Sequence, residues 1–149
     1  MILTKQIATD LMAAMKNQEK DKLEALRAVK TAFILAKSNI GVNAEISDDE
    51  ELKIIQKLVK QRKDSAAEYI AQNRKDLADK ELAEAEIISV YLPKQMSTEE
   101  IQKAIQAIIT ETGAAGMKDM GKVMGLANKQ LAGKADGKTI SDIVKQLLG

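Results

Sequence analysis

Along the 149 residues there is a single proline, Pro93, and apolar residues recur at helical spacing on both sides of it. No alternating apolar run long enough for a strand occurs, so the proline is the one fixed break in a chain otherwise free to be helical. Pro93 has no N–H to donate and disfavours the α conformation at Leu92, so a helix is expected to stop there. Ser97-Thr98-Glu99-Glu100 then offers a capping box, with Ser97 as N-cap and Glu100 reaching back. The reading is all-α in two parts: an N-terminal helical domain over 1–93, a hinge at 94–96, and a three-helix domain over 97–149.

Aromatic residues make up only 2% of the chain, so both cores must be built from Ile, Leu, Val, Ala and Met. In the first part, Thr4 is expected to cap a helix ending near Asn17, with Ile7, Leu11, Ala14 and Met15 inward. A second helix runs from about Lys20 to Ile40, with Leu26, Val29, Phe33, Ala36 and Ile40 on one face, and stops at Gly41. Ser47 caps a third, whose inward face carries Leu52, Ile55, Val59, Ala66 and Tyr69; Arg62 shares that face and must snorkel or meet a carboxylate. A break at Asn73-Arg74-Lys75-Asp76 precedes a fourth helix to Leu92, with Ala78, Leu82, Ala85 and Ile88 inward. After the hinge, Ile101, Ala104, Ile105 and Ile108 line a fifth helix ended by Gly113. Lys118-Asp119 opens a sixth with Met120, Val123, Met124, Ala127 and Leu131 inward. Asp136 caps a seventh with Ile140, Ile143, Val144 and Leu147 inward.

The chain has neither cysteine nor histidine, which removes thiol nucleophiles, zinc sites, disulfides and the usual general base. Carboxylate-held metals stay open in principle, but no aspartates cluster at ligand spacing, and Ser65 beside Asp64 and Lys63 has no base positioned by spacing; no metal, no cofactor and no catalytic residue is expected. Met1-Ile2-Leu3 is followed at once by Thr4-Lys5-Gln6, and no apolar run is long enough for a membrane span; the expected address is cytoplasmic. Formal net charge is +1, so no global basic field advertises nucleic acid, and DNA is not expected. Residues 97–149 hold seven Lys/Arg and six Asp/Glu, again +1, so any RNA contact must rest on a local patch.

Two stretches of the second part stand out. Ala132-Gly133-Lys134-Ala135-Asp136-Gly137-Lys138-Thr139 fits a relaxed nucleotide-loop pattern ending in Gly-Lys-Thr, but such a loop follows a buried strand, and this one follows a helix. As a helix-to-helix connection, Gly133 ends helix six, Asp136 caps helix seven, and Lys134 and Lys138 flank a helix N-terminus suited to an anion. Lys118, Lys122 and Lys129 lie on the outward side of helix six. Gly121 and Gly125 sit i, i+4 inside that helix, where each glycine costs on the order of 1 kcal/mol relative to alanine. Such a cost buys close backbone approach, by a neighbouring helix first and by a ligand second. In the first part, the basic run Lys57 to Lys63 is followed closely by Asp64 and Glu68 and reads as a solvated, ion-paired face.

Taken in order, Leu26-Arg27-Ala28-Val29-Lys30, Arg62-Lys63-Asp64-Ser65, Tyr69, Arg74-Lys75-Asp76-Leu77-Ala78, Glu81, Tyr91-Leu92-Pro93-Lys94-Gln95 and Asp119-Met120-Gly121-Lys122-Val123-Met124-Gly125 resemble the YqeY family. That family is similar to the C-terminal region of the B subunit of the glutamine-dependent aminoacyl-tRNA amidotransferase, whose tail domain contacts the outer corner of tRNA. The tail pattern is matched here by Gly121, Gly125, Lys129, Gly133, Lys134, Ala135 and Lys138. The subunit more often has Asn-Pro where this chain has Asp136-Gly137. The resemblance implies a carbon–nitrogen ligase label by kinship only, since the catalytic parts of the larger enzyme lie outside the matched region.

The leading expectation is therefore a non-catalytic module that binds tRNA or structured RNA, with Lys134 and Lys138 on phosphate and Lys122 and Lys129 adding charge. Gly121, Gly125 and Gly133 would permit close approach. The alternative is an adaptor that docks on an amidotransferase or aminoacyl-tRNA synthetase without touching RNA. A nucleotide hydrolase ranks third.

Overall fold

The computed structural model describes residues 2–149, and among them regular structure is helical, with no strand. Helices α1 (Ile2–Lys16), α2 (Lys20–Ile40), α3 (Asp48–Ala71) and α4 (Lys75–Ser89) precede Pro93. Helices α5 (Thr98–Thr112), α6 (Met120–Gln130) and α7 (Gly137–Leu148) follow it, with a 3-10 turn at Met117–Asp119 leading into α6. The fold class is all-α, as the periodicity predicts. The chain forms two compact units, the first ending at Leu92 and the second running from Pro93 to Gly149.

In the first unit, Ile7, Leu11 and Ala14 of α1 meet Leu26, Val29 and Phe33 of α2, Ile55 and Val59 of α3, and Ala85 and Ile88 of α4 in one core. Burying each large aliphatic contributes about 1.5–3 kcal/mol. Ser47 accepts the Glu50 N–H at 3.2 Å and starts α3 as expected. Arg62 meets a carboxylate: its Nε donates to Glu84 Oε2 at 3.2 Å, and its Nη1 donates to the Leu58 carbonyl. Both side chains are about 15% exposed, so the pair ties α3 to α4 in a poorly hydrated setting.

Several expectations for this unit need correction. Thr4 is no cap, because α1 is already helical at Ile2. Instead the Thr4 N–H and hydroxyl both donate to Glu51 Oε2, at 2.6 and 2.5 Å. Glu51 is wholly buried, so a carboxylate from α3 satisfies a donor in the first turn of α1. Met15, Ile40 and Leu82 are exposed, not inward. At 100° per residue, Met15 falls beside the Ile7–Leu11–Ala14 line and Leu82 beside the Ala78–Ala85–Ile88 line. Ile40 is the last residue of α2. Helix α4 ends at Ser89; Tyr91 and Leu92 turn back onto the carbonyls of Ile88 and Ser89 before the proline.

In the second unit, Ile101, Ile105 and Ile108 pack with Val123, Ala127, Leu131, Ala135, Ile140, Ile143, Val144 and Leu148. The Ser97–Glu100 capping box is complete in both directions, at 3.2 Å each. Gly113 closes α5 in the left-handed conformation, φ 67°, which a residue without Cβ adopts freely. Leu148, not Leu147, takes the last inward position of α7.

Candidate nucleic-acid interface

The expected site residues lie on α6, on the connection from α6 to α7 and, for Lys138, in the first turn of α7, all within the second unit. Val123 and Ala127 are buried to anchor the inner face of α6. That fixes the opposite face outward: Gly121, Lys122, Gly125 and Lys129 are all exposed, as is Lys118 one turn earlier. The helical period places the two glycines on one line with Lys118, Lys122 and Lys129 along its side.

The glycines have a specific geometry. Apart from the backbone of its own helix, a Cβ built on either Gly121 or Gly125 meets nothing within 4 Å. The neighbouring-helix explanation for them is therefore overturned within the second unit, because among its described residues neither α5 nor α7 reaches the place where a Cβ would stand. What remains is a strip of bare backbone on the surface, bordered by lysines.

The connection is held tightly. Helix α6 ends at Gln130, three residues before Gly133, and residues 131–135 form a turn in which the N–H groups of Lys134 and Ala135 return to the Leu131 carbonyl. Gly133 is buried at φ 74°, and its carbonyl accepts from Gln95 Nε2 at 2.7 Å. The Lys134 carbonyl accepts the Met96 N–H at 2.9 Å. Gln95 and Met96, expected as hinge residues, thus help shape the turn. The Lys134 backbone is fixed at both ends while its side chain remains exposed.

Asp136 caps α7 and changes what that terminus can do. Its carboxylate accepts the N–H groups of Lys138 at 3.1 Å and Thr139 at 3.2 Å, and the Thr139 hydroxyl at 2.6 Å. The helix N-terminus expected to receive an anion already holds one, supplied by the chain. The Thr139 hydroxyl serves the same cap as a donor, and the stretch follows a helix where a nucleotide loop would follow a strand. Lys134 and Lys138 can then act only through their side-chain charges.

The local charge differs from that of the whole unit. From Lys118 to Lys138 there are five lysines against two aspartates, a balance of +3. Both aspartates accept backbone N–H groups: Asp119 that of Ala115 at 3.0 Å, and Asp136 those of α7. The acids of α5 and Asp142 of α7 lie outside this stretch. The sequence separates Gly133, at a helix end, from Gly121 and Gly125, inside a helix, but carries no signal that Gly133 is buried, because that depends on Gln95 and on the chain folded over the turn.

The comparisons with known proteins agree with this architecture. A family model described as Yqey-like protein matches residues 4–148. Three fungal relatives share the name "Altered inheritance of mitochondria protein 41, mitochondrial". The Pyrenophora tritici-repentis protein is 26% identical over 152 residues, covering 99% of this chain and 82% of the relative. The Kluyveromyces lactis protein is 32% identical over 146 residues, 91% and 75% respectively. For Saccharomyces cerevisiae the match is 31% over 111 residues, covering 70% of this chain and 59% of the relative. These names overturn the cytoplasmic address expected from the sequence. That expectation rested on the first few residues, and a folded helical domain carries no address of its own. With the family model matched across both helical units, the chain belongs to the family of Yqey-like proteins.

Proposed function

We propose that this chain is a helical module that binds tRNA, or structured RNA, through the outward face of α6 and the turn that follows it, without performing chemistry itself. The observation that supports this reading best is the exposed Gly121–Gly125 strip. It costs the helix on the order of 1 kcal/mol per glycine and relieves no contact among the described residues of the second unit. Such a surface suits a phosphodiester backbone, whose oxygens can approach the helix while Lys122 and Lys129 neutralise them. Lys134 and Lys138 extend the charge onto the turn, and Gly133 shapes that turn from beneath. The resemblance of this pattern to the amidotransferase tail points the same way.

Purified protein titrated with labelled bulk tRNA at several salt concentrations tests the reading. Four lysines on phosphate give a log–log salt slope of roughly −3, and Lys134→Ala/Lys138→Ala reduces it by about 1–2 with a marked loss of affinity. Gly121→Ala/Gly125→Ala separates binding from folding: it stabilises the second unit by about 1–2 kcal/mol and weakens RNA binding. Binding that survives both double substitutions would sink the assignment.

A further inference from the structure

The first unit carries a second surface feature, independent of the RNA reading. Between α1 and α2 lies a cleft of about 200 Å³. Its walls are Thr4, Ile7 and Ala8 on one side and Phe33 and Ile34 on the other, with Ile46 closing one end. Lys30 and Lys37 also line it. Ile34 is 57% exposed, although it lines an apolar cleft. Following Ala8 along the same flank of α1, helical spacing brings up Met12 and Met15, which are 65% and 54% exposed.

The α2 rim of this groove is uniformly basic. From Ala25 to Ala44 there is no acidic residue, while Arg27, Lys30 and Lys37 are present. All three are exposed, and none forms a salt bridge with another described residue. Asp10, the one acid of α1, is engaged by the Tyr91 hydroxyl at 2.6 Å. Arg27 to Lys37 spans about 15 Å of helix, and Thr4 to Met15 about the same on α1.

We propose that the α1–α2 groove is a docking site for an acidic amphipathic helix of a partner protein. Its apolar side chains seat against Ala8, Ile34 and the two methionines, and its carboxylates meet Arg27, Lys30 and Lys37. Charge complementarity selects the sign of the occupant, because the α2 rim carries only cations and the exposed acid Glu45 stands beyond it, next to Ile46. The 15 Å row of charges selects a rod of about three helical turns over a single anionic head group. The concavity argues against a bilayer, which meets apolar residues projecting outward and does not reach a floor between two helices. Methionine side chains adapt to whatever packs on them, which suits a helix-receiving surface.

The test uses the full chain and two synthetic peptides of about 18 residues, each with leucines at i, i+3, i+4, i+7 spacing, one flanked by glutamates and one by lysines. Fluorescence anisotropy is expected to show saturable binding of the acidic peptide and none of the basic one. Lys30→Glu/Lys37→Glu, and separately Ile34→Asp, each lower the acidic peptide's affinity at least tenfold. These positions are exposed, so thermal melts match the parent and tRNA affinity is unchanged. Equal binding of both peptides, no binding of the acidic one, or indifference to the substitutions overturns the proposal. So does saturable binding to phosphatidylglycerol vesicles lost in the same variants, which reassigns the groove to lipid. A concentration-dependent dimer abolished by Ile34→Asp overturns it too, in favour of a second copy of this chain.

Discussion

Two buried polar contacts hold the first unit at single residues, and each spans a long separation in sequence. Glu51 sits in the second half of the first turn of α3, where an acid ordinarily faces water and complements the helix dipole. Here it is fully buried and receives both donors of Thr4, 47 residues away. Tyr91 is buried with its hydroxyl on Asp10, 81 residues away. Burial first, and the Asp10 carboxylate second, push the Tyr91 phenol above its ordinary value. The protonated form is therefore favoured in the fold. Its contribution is complete below the ordinary phenol value and is lost as pH rises through the higher folded value. Tyr91→Phe is expected to cost about 1 kcal/mol in denaturant unfolding near pH 7. The gap should narrow above about pH 10, where unfolded wild-type chain gains from ionising its phenol. A gap that is constant with pH would mean that the hydroxyl contributes only by packing.

Helix ends account for most of what periodicity made readable. Ser47 and Ser97 start helices, and Gly41 and Gly113 stop them, because each supplies the group or the conformation that an orphaned terminus needs from its own few residues. Thr4 misled because a capping residue type does not act as a cap when the helix has already begun. The α6–α7 connection was legible as a connection, and Asp136 as its cap, but the consequence for anion binding emerges only from the bonds it makes. Asp136→Ala is expected to destabilise the second unit by about 1–2 kcal/mol through loss of the cap. Asp136→Asn keeps an oxygen acceptor and removes a negative charge from among Lys134 and Lys138. On the proposed RNA reading it tightens tRNA binding several-fold at low salt and leaves it unchanged at high salt, where such charges are screened. Unchanged affinity at low salt would place the RNA away from this turn.

At the scale of the molecule there are two cores with separate memberships, one on each side of Pro93. Ile105 is wholly buried in the second. Ile105→Ala is expected to cost about 2–5 kcal/mol by leaving a cavity. Hydrogen exchange should show the loss in α5, α6 and α7, with the amides of α2 and α3 keeping their protection. Uniform loss across all seven helices would show that the two cores unfold as one. Among the described residues no helix is long and apolar enough to cross a membrane. What the sequence by itself determined was the class, the helix order, most inward residues and the break at Pro93, because 3.6-residue periodicity, capping chemistry and proline sterics act within a few residues. Only the tertiary structure decided that Glu51 is interior, that Gly121 and Gly125 face open space while Gly133 is buried, and that α1 and α2 leave a basic-rimmed groove. Each of these depends on which distant element lies opposite a residue, and spacing along one chain segment carries no information about its neighbour in space.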